Sequence, residues 1–381
     1  MARVQQEVEA HYRSALVERI RAAGGIWQTG NTVVRLARQF GFCYGVERAI
    51  DLAYAARKVF PNQRIFVLGE IIHNPDVNQQ LADMGISTLS RGGENPDLTP
   101  LTPDDVIIVP AFGAEVATMR VIEEIGCHIV DTTCGDVMSV WRRVRQNASQ
   151  GVTSIIHGKS GHEETRATAS RALGAGDGHY LIVLNLEETD LVCDFIRNGG
   201  NRSQFLERFA ASASPGFDPE KHFARVGVAN QTTMLRGETE EIQRRVREAI
   251  QDRDGGITDN FRFFDTICGA TQERQDALFE MLKQPIDVML VVGGYNSSNT
   301  SHLVEIAAEK GPTYFVRNAA CIDSAESIRH FDLHTRGEVV TKDWLPLNTN
   351  LVVGVTAGAS CPNNLIEEVI LRMLTLRGES V

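Results

Sequence analysis

Hydrophobic positions along this chain recur with two periods. Short apolar, β-branched runs such as Val33-Val34-Arg35-Leu36, IFVL, VIIV, SII, VGVA, VMLVV and LVVGV read as strands. Between them lie stretches such as VERAIDLAYAARKVF and DVMSVWRRVRQ, with apolar residues three and four apart, which read as amphipathic helices. Strands alternating with helices predict α/β units built on mainly parallel sheets.

The loops leaving the strands are of three kinds, each present three times. One kind carries a cysteine just before a helix: Gly41-Phe42-Cys43-Tyr44-Gly45, Thr132-Thr133-Cys134-Gly135 and Thr266-Ile267-Cys268-Gly269. A second is polar: Ile72-His73-Asn74-Pro75, Gly161-His162-Glu163-Glu164-Thr165 and Asn296-Ser297-Ser298-Asn299. It follows its cysteine by 30, 28 and 29 residues (Cys43 to His73, Cys134 to His162, Cys268 to Ser297). The third is small and polar: Ala111-Phe112-Gly113-Ala114, Asn230-Gln231-Thr232-Thr233 and Thr356-Ala357-Gly358-Ala359-Ser360.

Such a repeat of plan without repeat of sequence predicts three similar α/β lobes in a pseudo-threefold, cloverleaf arrangement. Counted from the cysteines, the expected lobes are 31–133, 134–264 and 265–381, after a helical extension at 1–30. Insertions are expected at about 193–225 and 318–347, and the extension reads as one helix stopped at Gly24-Gly25. Strand-to-helix turns are where α/β folds hold their ligands, so the nine loops are the candidate site.

Composition narrows the chemistry. The net charge of −11, with no lysine- or arginine-rich block, argues against nucleic acid or an anionic membrane as partner. The N-terminus mixes acids and bases and has no apolar core, so no signal peptide is expected. Seven scattered cysteines then suggest a reducing cytoplasm rather than a disulfide framework.

Cys43, Cys134 and Cys268, one per lobe, could hold zinc or an iron–sulfur cluster. Their long separations and the lack of C-x-x-C knuckles suit a cluster at a junction. Three thiolates on a 4Fe–4S cubane leave one iron open to substrate. Cys127, Cys193, Cys321 and Cys361 read as packing. Glu164, in a loop with His162, is the candidate proton source, since a carboxyl shielded from water can hold its proton near neutral pH. A first-turn glutamate also suits the helix dipole. His73 and His162 can donate to phosphate or hydroxyl oxygens. The Asn296–Asn299 loop after Gly293-Gly294 resembles an anion cradle, with Thr232 and Ser360 as further hydroxyls. Each of these hydroxyls alone would read as a helix cap.

GFCYGVERAI, EIIHNPDVNQQL, DTTC, ANQTTM, DTICGATQERQDA, GGYNSSNTSHLVEIA and GVTAGAS resemble the signature segments of the 4-hydroxy-3-methylbut-2-enyl diphosphate reductase family, over about residues 33 to 375. PAFGA and HGKSGHEET resemble its longer version, from plants and cyanobacteria. The resemblance implies the last step of the methylerythritol phosphate route and a three-lobed fold around a 4Fe–4S cluster. It implies Cys43, Cys134 and Cys268 as cluster ligands, and Glu164 as proton source helped by Thr232 and His162. It implies His73, Asn296, Ser297, Ser298, Asn299 and Ser360 as substrate-binding, and ferredoxin or flavodoxin as electron donor. Phe112 stands where shorter members have a phosphate-binding histidine, and Gly135 where proline is usual. Two rivals remain: a quinolinate synthase-like 4Fe–4S dehydratase, which needs a dicarboxylate site, and a non-catalytic iron–sulfur sensor.

Overall fold

The β-branched runs pair as strands in a strict order. The computed structural model describes residues 2–90, 95–173, 178–264, 266–347 and 349–380. Among them, three parallel sheets repeat one plan. One sheet runs Ile86–Thr88, Ile65–Val67, Val106–Val109, His128–Asp131. Another runs Tyr180–Val183, Thr153–His157, Val226–Asn230, Phe261–Phe263. The last runs Thr313–Val316, Val288–Val292, Leu351–Ala357, Thr32–Leu36, with Ile26–Thr29 added antiparallel at the edge. In each, the strand feeding the second kind of loop lies beside the strand feeding the third. Beyond that comes the strand feeding a cysteine.

The chain is therefore three α/β lobes with small parallel sheets, but the cysteine strand closes a lobe rather than opening it. The strand before Cys43 pairs with Leu351–Ala357, so the strand pairing does not follow the ranges 31–133, 134–264 and 265–381. Compact packing divides the chain in two: Met1–Pro61, Glu70–Gly85 and Gly269–Val381 form one unit, and Asn62–Gly69 with Ile86–Cys268 the other.

The first unit holds the sheet that includes Thr32–Leu36, whose inward faces carry Val34, Leu290, Val291, Val353 and Val355, all buried. Its N-terminal segment is two helices, Ala2–Tyr12 and Ala15–Ala22, rather than one. Ser14 interrupts it: its Oγ accepts the Val17 N–H at 2.9 Å and caps a new helix, which ends before Gly24 and Gly25 at positive φ. Tyr12 lays its ring on Phe42, with centroids 5.4 Å apart, and so buttresses the loop of Cys43. The 318–347 stretch forms a hairpin, Ser327–Asp332 with Gly337–Lys342.

The second unit holds the other two sheets. In one lobe Leu68, Ile107, Val109 and Ile122 make the core. In the other, Val192, Phe195, Phe205, Phe209, Phe217 and Phe223 pack beside Ile155, Val226 and Val228. The 193–225 stretch is thus folded onto the sheet by its phenylalanines, through short helices Arg202–Arg208 and Pro219–His222. No helix among the described residues is long and apolar enough to cross a membrane.

Candidate functional site

Each cysteine is held by the same backbone device. The Cys43 N–H donates to the Ala359 carbonyl at 3.2 Å, that of Cys134 to Ala111 at 2.8 Å, and that of Cys268 to Thr232 at 3.2 Å. The acceptor lies every time in the small polar loop of the neighbouring strand. Cys43 and Cys134 are N-cap residues of helices Tyr44–Val59 and Gly135–Ser149, and neither thiol makes a capping bond. Cys268 directly precedes helix Gly269–Met281.

The seven cysteines differ in burial. Cys43, Cys134 and Cys268 are partly exposed, whereas Cys127, Cys193, Cys321 and Cys361 are buried. Burial pushes the Cys193 thiol up to about 11 and raises those of Cys127 and Cys361 as well, which disfavours the thiolate a metal needs.

In the second unit a short relay joins the remaining candidates. Glu164 is 3% exposed. Its Oε1 accepts the backbone N–H of Thr232 at 2.6 Å, and the Thr232 carbonyl is the acceptor for Cys268. His162 caps helix Glu163–Ser170, its Nδ1 accepting the Glu164 N–H at 3.2 Å. That bond places the neutral ring's proton on Nε2. The Phe112 ring meets the His162 ring edge-on, with centroids 6.3 Å apart.

Gly113, next in that loop, has φ +82, and a Cβ there would meet Trp141 Cζ2 at 2.3 Å. Trp141 sits on the helix that begins at Cys134. Gly113→Ala should therefore cost about 2–4 kcal/mol, combining overpacking with the left-handed backbone, as read by thermal unfolding. A change below 0.5 kcal/mol would deny the close approach any importance.

In the first unit the other candidates form a cradle. Ser297 caps helix Ser298–Ala308, its Oγ accepting from the Thr300 N–H at 3.3 Å and from the Thr300 Oγ1 at 3.0 Å. Ser360 donates to the His73 carbonyl at 3.1 Å and lies 3.5 Å from Ser297 Oγ. Asn299 Oδ1 accepts the Ala359 N–H at 2.9 Å, which ties the cradle to the loop holding Cys43. Ser298 is buried in the first turn. A Cβ on Gly294 would meet the His73 carbonyl at 2.3 Å, so only glycine lets these backbones touch. The helix start adds inward N–H groups and a partial positive charge.

Asn296 is the exposed member, and its Nδ2 donates to Glu70 Oε2 at 2.6 Å. Glu70 also faces His73 Nδ1 at 3.1 Å. Asn296 Nδ2 lies 3.3 Å from the same ring nitrogen, so Glu70 and Asn296 together fix the ring's orientation. Glu70 lies three residues before His73 in a non-helical loop, where no local pattern marks it as a partner. Arg274, equally unmarked in the sequence, donates through its guanidinium to the carbonyls of Gly41 and Phe42.

Three parallel α/β lobes, each delivering a cysteine from a strand-to-helix turn, define the fold class. The LytB protein model matches residues 34–374. The chain is similar to the 4-hydroxy-3-methylbut-2-enyl diphosphate reductase of Thermosynechococcus vestitus, 48% identical over 98% of this chain and 92% of that protein. It is 48% identical to the reductase of the same name from Gloeobacter violaceus, over 99% of this chain and 91% of that protein. Among solved structures, the E-1-hydroxy-2-methyl-but-2-enyl-4-diphosphate reductase from Plasmodium falciparum shares the fold at a TM-score of 0.65 and 22% identity, covering 90% and 87% of the two chains. The chain belongs to the LytB protein family.

Proposed function

We propose that this chain reduces 4-hydroxy-3-methylbut-2-enyl diphosphate, the last step of the methylerythritol phosphate route. Two electrons and two protons enter, the allylic C–O bond breaks, a C–H bond forms and water leaves, giving isopentenyl or dimethylallyl diphosphate. The observation that carries the reading is likeness over nearly the full length to relatives named for this reaction.

Cys43, Cys134 and Cys268 are the proposed ligands of one 4Fe–4S cluster. The donor set fits, because soft thiolates select iron–sulfur groups and these three are the partly exposed thiols. When bound, such a cluster supplies electrons and, at an iron without a thiolate, a Lewis acid.

The chain's own residues bind the substrate and handle its protons. Ser297, Ser298, Asn299 and Ser360, with the helix start behind them, hold the diphosphate. His73 and Asn296 add hydrogen bonds, both steadied by Glu70. Glu164 supplies the protons, oriented by the Thr232 amide, while His162 donates through Nε2. Electrons come from ferredoxin or flavodoxin, and the setting is the cytoplasm. Ser297→Ala should raise KM about tenfold, the value of one hydrogen bond to a charged group, and lower stability by about 1 kcal/mol through the lost cap. An unchanged KM removes Ser297 from the substrate site.

The deciding experiment is anaerobic turnover of the reconstituted protein with a reduced viologen dye and the diphosphate substrate. Dye oxidation with both five-carbon products is the expected result. A protein with an intact four-iron cluster that oxidises no dye would sink the reading in favour of the dehydratase or the sensor.

A further inference from the structure

An acidic chain concentrates arginines without carboxylate partners among the described residues on one sheet edge of its second unit. Strand Phe261–Phe263 pairs on one side only, with Val226–Asn230, and leads to Cys268. On one face of this edge, Arg143 lies over the Phe264 ring at 4.7 Å, and Arg262 reaches the Gln150 side chain. On the other face, Arg247 lies over Phe261 at 5.3 Å and Phe263 at 4.8 Å. Phe263 is exposed. Arg142 stands in the open beside Arg143, on the helix that starts at Cys134.

The sequence around these arginines keeps carboxylates away. The helical neighbours three and four positions from Arg142, Arg143 and Arg247 are Met, Ser, Val, Gln, Asn, Ile or another Arg. None of the four arginines joins an ion pair among the described residues, while nearby Arg244 and Arg245 are both bound to Glu241. Unpaired guanidiniums stacked on aromatic rings keep their charge outward and can meet carboxylates bidentately. On a chain of net charge −11, a local cationic rim around an exposed aromatic steers an acidic partner to one place.

We propose that this edge, with Arg142, Arg143, Arg247, Arg262 and Phe263, docks a small acidic electron-carrier protein. The inference rests on the reductase reading, which needs two electrons from outside. By chain connectivity the edge is close to two cysteine loops. Phe264 is four residues from Cys268, at most about 14 Å of extended chain, and Arg143 is nine helical residues from Cys134, about 13 Å of rise.

The test compares two reductants on the anaerobic holoenzyme, a strongly acidic 2Fe–2S ferredoxin and reduced methyl viologen. Arg143→Glu with Arg247→Glu should raise the KM for ferredoxin tenfold or more and flatten its dependence on salt. Viologen-driven kcat should stay within twofold, which also shows that the variant is folded and loaded. Phe263→Ala is a second probe, expected to raise the same KM without changing the salt slope. An unchanged ferredoxin KM in both variants overturns the proposal, as does an equal loss with both reductants. So does a variant whose only defect is lost retardation by duplex DNA, since that makes the edge a nucleic-acid surface. Absence of viologen-driven turnover in the parent protein would instead strike the reductase reading itself.

Discussion

Glu164→Gln is expected to leave fold, cluster content and diphosphate affinity intact while lowering kcat by about 10²–10⁴, the usual contribution of a positioned proton donor. The substitution is nearly isosteric. A glutamine Oε1 can still accept the Thr232 N–H that Glu164 now accepts at 2.6 Å. The backbone bond from residue 164 to His162 Nδ1 is untouched, so the helix cap survives. What is lost is the ability to give up a proton when the C–O bond breaks and the C–H bond forms. The loss should therefore appear in kcat, with substrate Kd by calorimetry and the visible spectrum of the cluster unchanged. Turnover within twofold of the parent would remove Glu164 from the chemistry. A fall in affinity of the same size as the fall in kcat would make it a binding group instead.

The repeat that organises this site was visible in the sequence, and its limits are physical. Spacing from cysteine to polar loop is the same whether the cysteine strand opens a lobe or closes one, so periodicity cannot tell the two apart. Only the hydrogen-bonded register of Thr32–Leu36 against Leu351–Ala357 decides it. Side chains proposed to carry chemistry, such as Glu164, His162 and Ser297, announce themselves by type and position. Partners that act through the backbone do not. Ala111, Thr232 and Ala359 serve the cysteines with carbonyl oxygens, which every residue has. Asn296, a candidate for the substrate, also holds Glu70, a contact between segments 226 residues apart that no local pattern encodes.

Arg274 shows the same limit from the other side, and its removal should have the largest effect on stability. It is 3% exposed on helix Gly269–Met281, which begins immediately after Cys268. Its guanidinium donates to Gly41 O at 2.5 Å, to Phe42 O at 3.1 Å and to Ala270 O at 2.8 Å. One side chain thus fixes the two residues before Cys43 to the helix that follows Cys268. Nearby Glu47 lies on the exposed side of helix Tyr44–Val59. Burial and Asp51 push its carboxyl upward, while Arg274 and Arg21 oppose the shift. In Arg274→Met the hydrocarbon replaces the stem, but two loop carbonyls lose a charged donor in a buried setting. Bonds to charged groups are worth about 1.5–3 kcal/mol each, so a total cost of about 3–5 kcal/mol is expected. For a unit of this size that lowers Tm by roughly 6–20 °C. Arg274→Lys should fall between, because an ammonium keeps the charge without the fork that spans both carbonyls. Hydrogen exchange should localise the damage to Gly41–Tyr44, and iron content after reconstitution should drop with it. A Met variant with parental Tm and unchanged exchange in that loop would show that Arg274 merely fills space.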